Sequence, residues 1–334
     1  AYEMVRSDWS SDACSSDLQG RYAASHFDAT GFDRDLFSPR YLEYEGDMNM
    51  MKGGLVFADK INTVSPRYAR EIQTLDYGAG LHGVLSARQA DLSGILNGVD
   101  YTTWHPSSDT HIAARYDKDN LSGKAACKRA LQKMFGLPET DAPLFGIVSR
   151  LYPEKGMDLV TESLQTLMQR EIQLVILGKG QTNLEDCIRE AGKTYPGRIA
   201  AYLGFDVQRA HAIYAGADFF LMPSRYEPCG LGQLYAMAYG TIPVVRRTGG
   251  LADTVAPYHP LRNSRSSATG LSFVPQTSQA FTRCVIEALE VYRDQALLKR
   301  LRDNAMAQVY SWDRSSEAYI RLYRNILIGE STDG

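Results

Sequence analysis

Five short apolar segments in the second half of the chain constrain its fold more than any other feature. Helical patterns separate these segments, which are Leu144–Val148, Leu174–Leu177, Ile199–Tyr202, Phe219–Met222 and Ile242–Val245. Continuous apolar strands that alternate with helices are typical of a parallel sheet covered on both faces. Such sheets bind ligands at the carboxyl ends of their strands, and polar motifs follow three of these five segments. The sequence therefore predicts an α/β domain with a binding site at that edge.

Length and charge limit the classes of function. The 334 residues are enough for two domains, and the 44% hydrophobic content can fill a core in each. The net charge of −3, with dispersed Lys and Arg, argues against nucleic acid or an anionic membrane as a partner. Neither a signal-peptide pattern nor an apolar run of roughly 20 residues is present, so we expect a cytoplasmic protein. The five scattered cysteines lack metal-ligand spacing, so we expect no zinc site and no disulfide framework.

The two ends of the chain differ from its middle. Residues 1–19 are rich in Ser and Asp without helical or strand periodicity, so we expect a non-native or disordered segment there. Residues 20–140 have the pattern of the end of an α/β domain, in which Ser65 and Pro66 begin a helix and Ile95–Asp100 forms a short strand. Residues 141–310 form the second α/β domain. A final helix follows over residues 311–330, with Tyr319, Leu322, Tyr323, Ile326 and Leu327 on one face.

The loop after the fourth apolar segment carries the first chemical motif. Glu227 precedes a Gly-Leu-Gly turn that opens a helix, where the backbone amides of Gly230 and Leu231 can face a phosphate. The Glu227 carboxylate can then reach sugar hydroxyls, although a helix-capping role for this residue remains open. Cys229 has no histidine nearby in the sequence, so we expect a packed residue near the ligand that reacts with thiol reagents.

Two further loops carry motifs that suit a diphosphate. Arg150 and Lys155 place two cations in the loop after the first apolar segment, where they can stabilise a leaving diphosphate without a metal. Thr248, Gly249 and Gly250 follow the fifth segment, and bare glycines allow a diphosphate to approach the backbone N–H groups. Ordinary turns and a solvated loop are the alternatives for each motif alone. Together the three motifs predict a site for a nucleotide sugar.

The sequence resembles the bacterial glycogen (starch) synthase family over about residues 30 to 328. The segments that carry the resemblance are Ala58–Ile72, Gly94–Asp100, Ala215–Asp218, Arg225–Tyr235 and Arg246–Thr254. The resemblance implies an α/β fold of the GT-B type with two Rossmann-like lobes, the N-terminal one incomplete and the C-terminal one complete. It also implies transfer of glucose from ADP-glucose to the non-reducing end of an α-1,4-glucan, with retention at the anomeric carbon. ADP-glucose or ADP and the glucan are then the partners, without a metal or cofactor.

The same resemblance implies roles for individual residues. Glu227 would contact the transferred glucose, and Arg150 and Lys155 would hold the diphosphate. Phe205 takes the place of a tyrosine that stacks on adenine, and a phenyl ring can still stack. Asn97 would lie at the cleft from the first lobe. Thr248, Gly249 and Gly250 would contact the phosphate. Cys229, Gly230 and Leu231 are the further residues that we expect at the substrate.

Two departures from related patterns bear on this interpretation. Tyr235 stands where many retaining transferases carry a second Glu, as is usual in the glycogen synthase branch. The family's N-terminal Lys-x-Gly-Gly, Asp-Trp-His and His-Asn segments have no match, so we expect an N-terminally truncated chain that lacks part of its active site. The resemblance also implies that the final helix packs back on the first lobe. A nucleotide-sugar-binding fragment without turnover and another retaining GT-B transferase are the alternatives, and a dehydrogenase is disfavoured because no strand precedes a GxGxxG motif.

Overall fold

The structure is a computed structural model that describes residues 19–259 and 267–328. Most of the Ser/Asp-rich segment, up to residue 18, lies outside the described residues. The chain divides into two units, one made of the residues up to Asn97 and from Asp313 onward, the other of Gly98–Trp312. This boundary lies well before residue 140, where the sequence placed it. The assignment of the two units as the lobes of an enzyme stays a prediction.

The first unit contains small sheets and short helices. Its elements are strands β1 (Arg21–Ala23), β2 (Glu43–Tyr44), β3 (Asp47–Asn49), β4 (Ile61–Thr63) and β5 (Leu92–Gly94), and helices α1 (Met50–Phe57), α2 (Pro66–Glu71) and α3 (His82–Ala87). The antiparallel strands β1, β3 and β2 form one sheet, and β4 pairs with β5 in parallel. The predicted start of α2 is confirmed, because the Ser65 hydroxyl accepts a hydrogen bond from the Tyr68 N–H at 2.9 Å and Pro66 follows it.

The strand expected over Ile95–Asp100 lies elsewhere. The structure places it at β5, three residues earlier, and leaves only a single bridge between Val99 and Ser311 in the expected range. Gly94 explains the position, because a Cβ atom there would lie 2.2 Å from the carbonyl oxygen of Ser65. The strand ends where two backbones pass at a distance that only glycine allows.

The second unit is a six-stranded sheet with helices on its faces. Its strands are β6 (Leu144–Val148), β7 (Gln173–Gly178), β8 (Ile199–Leu203), β9 (Phe219–Met222), β10 (Ile242–Arg246) and β11 (Leu271–Phe273). Its helices are α4 (Ser122–Met134), α5 (Met157–Leu167), α6 (Thr182–Thr194), α7 (Val207–Gly216), α8 (Gly232–Ala238), α9 (Gly249–Thr254), α10 (Ser278–Arg293) and α11 (Gln295–Met306). All neighbouring strands pair in parallel, in the order β11-β10-β9-β6-β7-β8. The five predicted strands are confirmed, and β11 is an addition.

Residues 98–140 belong to the second unit because buried side chains fix them there. The hydroxyl of Tyr116 donates to the carbonyl oxygens of Ala215 at 3.2 Å and Tyr239 at 2.9 Å. Helix α4 packs on α7, with Leu131 fully buried in the same apolar cluster as Ile213. The polar, proline-marked stretch near residue 140 is therefore a loop within a unit and not a boundary between units.

The final helix, α12 (Trp312–Ile328), contacts the first unit near its beginning. The Ser315 hydroxyl donates to the carbonyl oxygen of Leu96 at 2.6 Å, and the Tyr319 hydroxyl donates to Asn62 at 3.1 Å. Further along, Tyr323 and Leu327 are exposed, so the predicted apolar face is only partly covered. None of the described helices is both long and apolar enough to span a membrane.

Truncation of the buried face of α4 tests its place in the second core. Leu131→Ala should lower the free energy of unfolding by about 3 kcal/mol, because it leaves a cavity in a fully buried cluster. Met134→Ala, at an exposed position of the same helix, should lower it by only about 0.5 kcal/mol. Urea unfolding of both variants measures the difference. Equal costs would contradict the packing of α4 on this unit.

Candidate functional site

Three loops meet at the carboxyl edge of the parallel sheet. They follow β6, β9 and β10, which are neighbours in the order β10-β9-β6. Because adjacent strands of a sheet lie about 4.8 Å apart, their carboxyl-end loops are forced into contact. The loops carry Lys155, Glu227 and Gly249, respectively. The sheet thus brings together three motifs that are far apart in the sequence.

A buried ion pair connects the first two loops. The Lys155 ammonium lies 3.1 Å and 3.0 Å from the two carboxylate oxygens of Glu227. The exposed fractions of these side chains are 11% for Lys155 and 3% for Glu227. The Ser224 hydroxyl donates a further hydrogen bond to Glu227, at 2.8 Å. Removing one member of a buried pair typically costs about 3 to 5 kcal/mol, so each partner holds the other in place.

Two arginines that the sequence analysis did not single out hold these loops together. Arg225 forms a two-pronged ion pair with Asp158, at 2.7 Å and 2.6 Å, and donates to the Pro153 carbonyl oxygen at 2.6 Å. The hydrogen bonds to Asp158 raise the pKa of Arg225. Arg246, which is buried, donates to the carbonyl oxygens of Ser224, at 2.8 Å, and of Arg225. The partners of both arginines are distant in the sequence, so no local pattern predicts these contacts. The position of Arg225, two residues before Glu227, was a signal that could have identified it as a residue of this site.

The third loop touches the second through its backbone. A Cβ atom on Gly249 would lie 1.9 Å from the carbonyl oxygen of Glu227, and one on Gly250 would lie 2.0 Å from that of Cys229. The Gly250 N–H donates to the carbonyl oxygens of Glu227, at 3.0 Å, and Pro228, at 3.2 Å. The sequence predicted that this N–H faces a diphosphate, and in the structure it bonds to the neighbouring loop. Because Gly249 and Gly250 have no side chains, the loop after β10 can pack directly against the loop after β9.

The turn after Glu227 is tied to α8 and α9. The Gln233 amide donates to the carbonyl oxygens of Cys229 and Gly230, both at 3.0 Å, and to the Thr254 hydroxyl at 3.1 Å. Leu231 is half-buried next to this turn. Cys229 is fully buried, which argues against the expected reaction with thiol reagents, and that reaction stays a prediction.

The remaining predicted residues are Arg150, Phe205 and Asn97. Arg150 is exposed, with its guanidinium carbon 5.5 Å from the ring centre of Tyr152. Phe205 follows β8 at the far edge of the sheet, three strands from β9, or about 14 Å. Its ring is 76% exposed, which leaves a face open to a ligand. Asn97 is the last residue of the first unit.

The arrangement can recognise a small anion next to a group of hydroxyls. Lys155 supplies a fixed point charge, and the Glu227 carboxylate has lone pairs beyond those used by Lys155 and Ser224. Thr248 is fully buried and comes directly before the first residue of α9. Among the described residues no cluster of His, Cys, Asp and Glu has the geometry to hold a metal ion.

The fold and the site define the class of protein as an α/β glycosyltransferase of the GT-B type. The chain is similar to the catalytic domain of starch synthase IV from Arabidopsis thaliana bound to ADP and acarbose, with a TM-score of 0.86 and 32% identity. That alignment covers 93% of this chain and 65% of that one. A sucrose-phosphate synthase from Thermosynechococcus elongatus, 20% identical with a TM-score of 0.57, shares the fold over 83% of this chain and 60% of its own.

The chain belongs to the glycosyl transferases group 1 family, whose pattern matches residues 130–308, more than half of the sequence. Residues 15–87 match the starch synthase catalytic domain. The chain is 47% identical to a glycogen synthase from Thioalkalivibrio sulfidiphilus and 48% identical to one from an Anaeromyxobacter species. Each alignment covers 92% of this chain and 64% of the relative. The chain thus spans less than two thirds of the length of these relatives.

A pair of glycine substitutions tests the close approach of the loops. Gly249→Ala should lower the free energy of unfolding by more than about 3 kcal/mol, because its Cβ meets the Glu227 carbonyl and its φ is +42°. Gly136→Ala has a similar φ of +67° but no atom within 4 Å, so it should cost only about 1 kcal/mol. Denaturant unfolding compares the two. Similar costs would mean that backbone strain, and not contact with Glu227, governs this position.

Proposed function

We propose that this protein contributes the donor site of a glycogen or starch synthase, a hexosyltransferase that moves glucose from ADP-glucose to the non-reducing end of an α-1,4-glucan. The observation that carries the proposal is the buried Lys155–Glu227 pair where three loops of the parallel sheet meet. The glycogen synthase relatives and the starch synthase bound to ADP and acarbose support the choice of donor and acceptor.

Donor binding uses cations at one end and an aromatic face at the other. A lysine ammonium has three N–H donors, and the two contacts of Lys155 with Glu227 leave a third for a phosphate oxygen. Arg150, exposed on the same loop, adds a guanidinium fork for the diphosphate. The open ring of Phe205 stacks on the adenine. Gly249 and Gly250 act indirectly, since they fix the loop that backs the phosphate.

The transfer step breaks one bond and forms one. The bond between the glucose anomeric carbon and the diphosphate oxygen breaks, and its electron pair leaves with ADP. The acceptor 4-hydroxyl oxygen bonds to the same face of that carbon, and its proton passes to a phosphate oxygen of the leaving ADP. Negative charge grows on the diphosphate during this step, and the fixed charges of Lys155 and Arg150 stabilise it. The products are ADP and a glucan longer by one glucose, with configuration retained.

Glu227 positions the sugar in this proposal. Its carboxylate is held by Lys155 and Ser224, so a hydroxyl of the transferred glucose can donate to an oxygen whose position is already fixed. The role of Asn97, which lies in the first unit, rests on the resemblance alone.

A second candidate is a nucleotide-sugar-binding protein without turnover. It is favoured by the distribution of the predicted donor residues, all of which except Asn97 lie in Gly98–Trp312. Binding of the donor therefore needs only the second unit. A location in the cytoplasm and independence from metals and cofactors remain predictions.

Calorimetric titration with ADP, with UDP as the control, tests the site directly. We expect ADP to bind the folded chain, because Lys155, Glu227 and the turn that Gln233 holds are already fixed by buried contacts. An assay of glucose incorporation into glucan from ADP-glucose is run beside it. Incorporation supports the transferase, and binding without incorporation supports the second candidate. A folded sample that does not bind ADP would refute the donor site.

Glu227→Gln separates a chemical role from a structural one. It keeps the shape of the side chain but removes the charge that pairs with Lys155. In a form that incorporates glucose, either this chain or this chain joined to a relative's first lobe, turnover should fall at least about 100-fold. ADP affinity should change less than about threefold, since the carboxylate contacts the sugar and not the nucleotide.

The control is Glu162→Gln, at an exposed position of α5, which should alter neither quantity. Parallel loss of ADP affinity and turnover in Glu227→Gln would show that Glu227 only supports the fold.

A further inference from the structure

The pairing between β6 and β7 continues past the ends of both strands. The Leu151 N–H donates to the carbonyl oxygen of Lys179 at 2.9 Å, and Leu151 forms a parallel bridge with Gly180. This bridge keeps the register of the two strands themselves, in which Val148 pairs with Leu177. The loops after β6 and β7 therefore run side by side, residue against residue.

This register makes two cations neighbours at the carboxyl edge of the sheet. It places Lys179 beside Arg150, at about the 4.8 Å that separates adjacent strands, and matching positions project to the same face. Both side chains are exposed. Within the described ranges the side chain of Lys179 forms neither a hydrogen bond nor an ion pair, so its three N–H groups are open to a ligand.

The backbone of Lys179 is held in place by close contacts on either side. A Cβ atom on Gly178 would lie 1.9 Å from a carbonyl oxygen of the loop after β6, and one on Gly180 would lie 2.1 Å from another. The Gly180 N–H donates to the Glu185 carboxylate at 2.8 Å. This carboxylate thus holds the turn, and in the described part of the chain it forms no ion pair with Lys179.

The order of the strands places Lys179 between the two ends of the proposed donor. Along β9-β6-β7-β8, the loops that follow the strands carry Glu227, then Arg150 and Lys155, then Lys179, and finally Phe205. In the proposed function the glucose lies at Glu227 and the adenine at Phe205. The diphosphate and the ribose connect these two groups, so they must pass the loop after β7.

We propose that Lys179 binds the diphosphate of the donor together with Arg150, an inference that rests on the proposed function. Each phosphate of the donor carries a negative charge and acceptor oxygens, so the diphosphate can accept hydrogen bonds from two neighbouring cations at once. Like charges side by side repel each other, and a bound diphosphate removes that repulsion. During transfer, Lys179 adds a third cation to Lys155 and Arg150 where negative charge grows on the leaving ADP.

Three variants separate this role from that of an ordinary surface lysine. Lys179→Gln removes the charge, and Lys179→Arg keeps it. Lys133→Gln is the matched control, because Lys133 is exposed in the last turn of α4, ahead of the amino end of β6. Its side chain also lacks a hydrogen bond or ion pair among the residues that the structure describes. Calorimetry on the full chain measures the binding of ADP and of inorganic pyrophosphate, without divalent metal ions.

Lys179→Gln should bind both ligands at least about fivefold more weakly than the unmodified chain, because a charge-assisted hydrogen bond is lost. Lys179→Arg should bind both within about twofold of the unmodified chain, and Lys133→Gln should bind them as that chain does. Titrations at several salt concentrations add a readout that a structural role would not change. The ADP affinity of Lys179→Gln should fall less steeply with salt, because one screened attraction is missing.

The two ligands distinguish failure of this inference from failure of the proposed function. ADP binding that Lys179→Gln leaves unchanged would overturn the role of Lys179 and leave the donor site in place. Pyrophosphate binding that Lys179→Gln weakens, without any binding of ADP, would count against the donor site and support the pair of cations. Equal weakening by Lys133→Gln would overturn the proposal, since only the total charge would matter. A folded chain that binds neither ligand would refute both.

Discussion

The ion pair between Lys155 and Glu227 is the constraint around which the carboxyl edge of the sheet is arranged. Both side chains are almost fully removed from water, so neither charge is tolerable without the other. Their pairing fixes the distance between the loops after β6 and β9, and the bond from Ser224 fixes the plane of the carboxylate. The Lys155–Glu227 part of the proposed donor site is therefore formed before any ligand arrives, which is the condition under which electrostatic stabilisation of a leaving group is most effective.

Gly249 and Gly250 also help to hold the loops of this edge together, which is a role that their sequence pattern does not predict. A Gly-Gly pair after a strand predicts backbone that faces a phosphate. In the structure the N–H group of Gly250 donates to the carbonyl oxygens of Glu227 and Pro228. A side chain at position 249 or 250 would clash with the loop that follows β9. Sequence identifies such a position because only glycine fits, but it does not reveal whether the close neighbour is a ligand or another part of the chain.

Structural features with a clear local sequence pattern were predicted, and features that depend on residues distant in the sequence were not. The five apolar strands were predicted because each is continuous and flanked by helices, whereas β11 was missed because three residues give too short a pattern. The boundary predicted at residue 140 rests on a proline-marked loop and differs from the division of the structure after Asn97, because Tyr116 and Leu131 tie the preceding segment to the second core. The role of Arg225 was also beyond reach, since its partner Asp158 is brought near only by the fold.

The two edges of the sheet also differ in how their charges are balanced. At the carboxyl edge one lysine meets one carboxylate, so the pair is neutral and the third N–H of Lys155 is left for a ligand. At the amino edge Lys128 and Arg302 share the carboxylate of Asp218. Lys124 is held there by three neutral oxygens, and burial lowers its pKa well below the ordinary value, which disfavours the charged form. Lysines are rarely buried, and the sequence of α4 gives no sign that two of its lysines point inward.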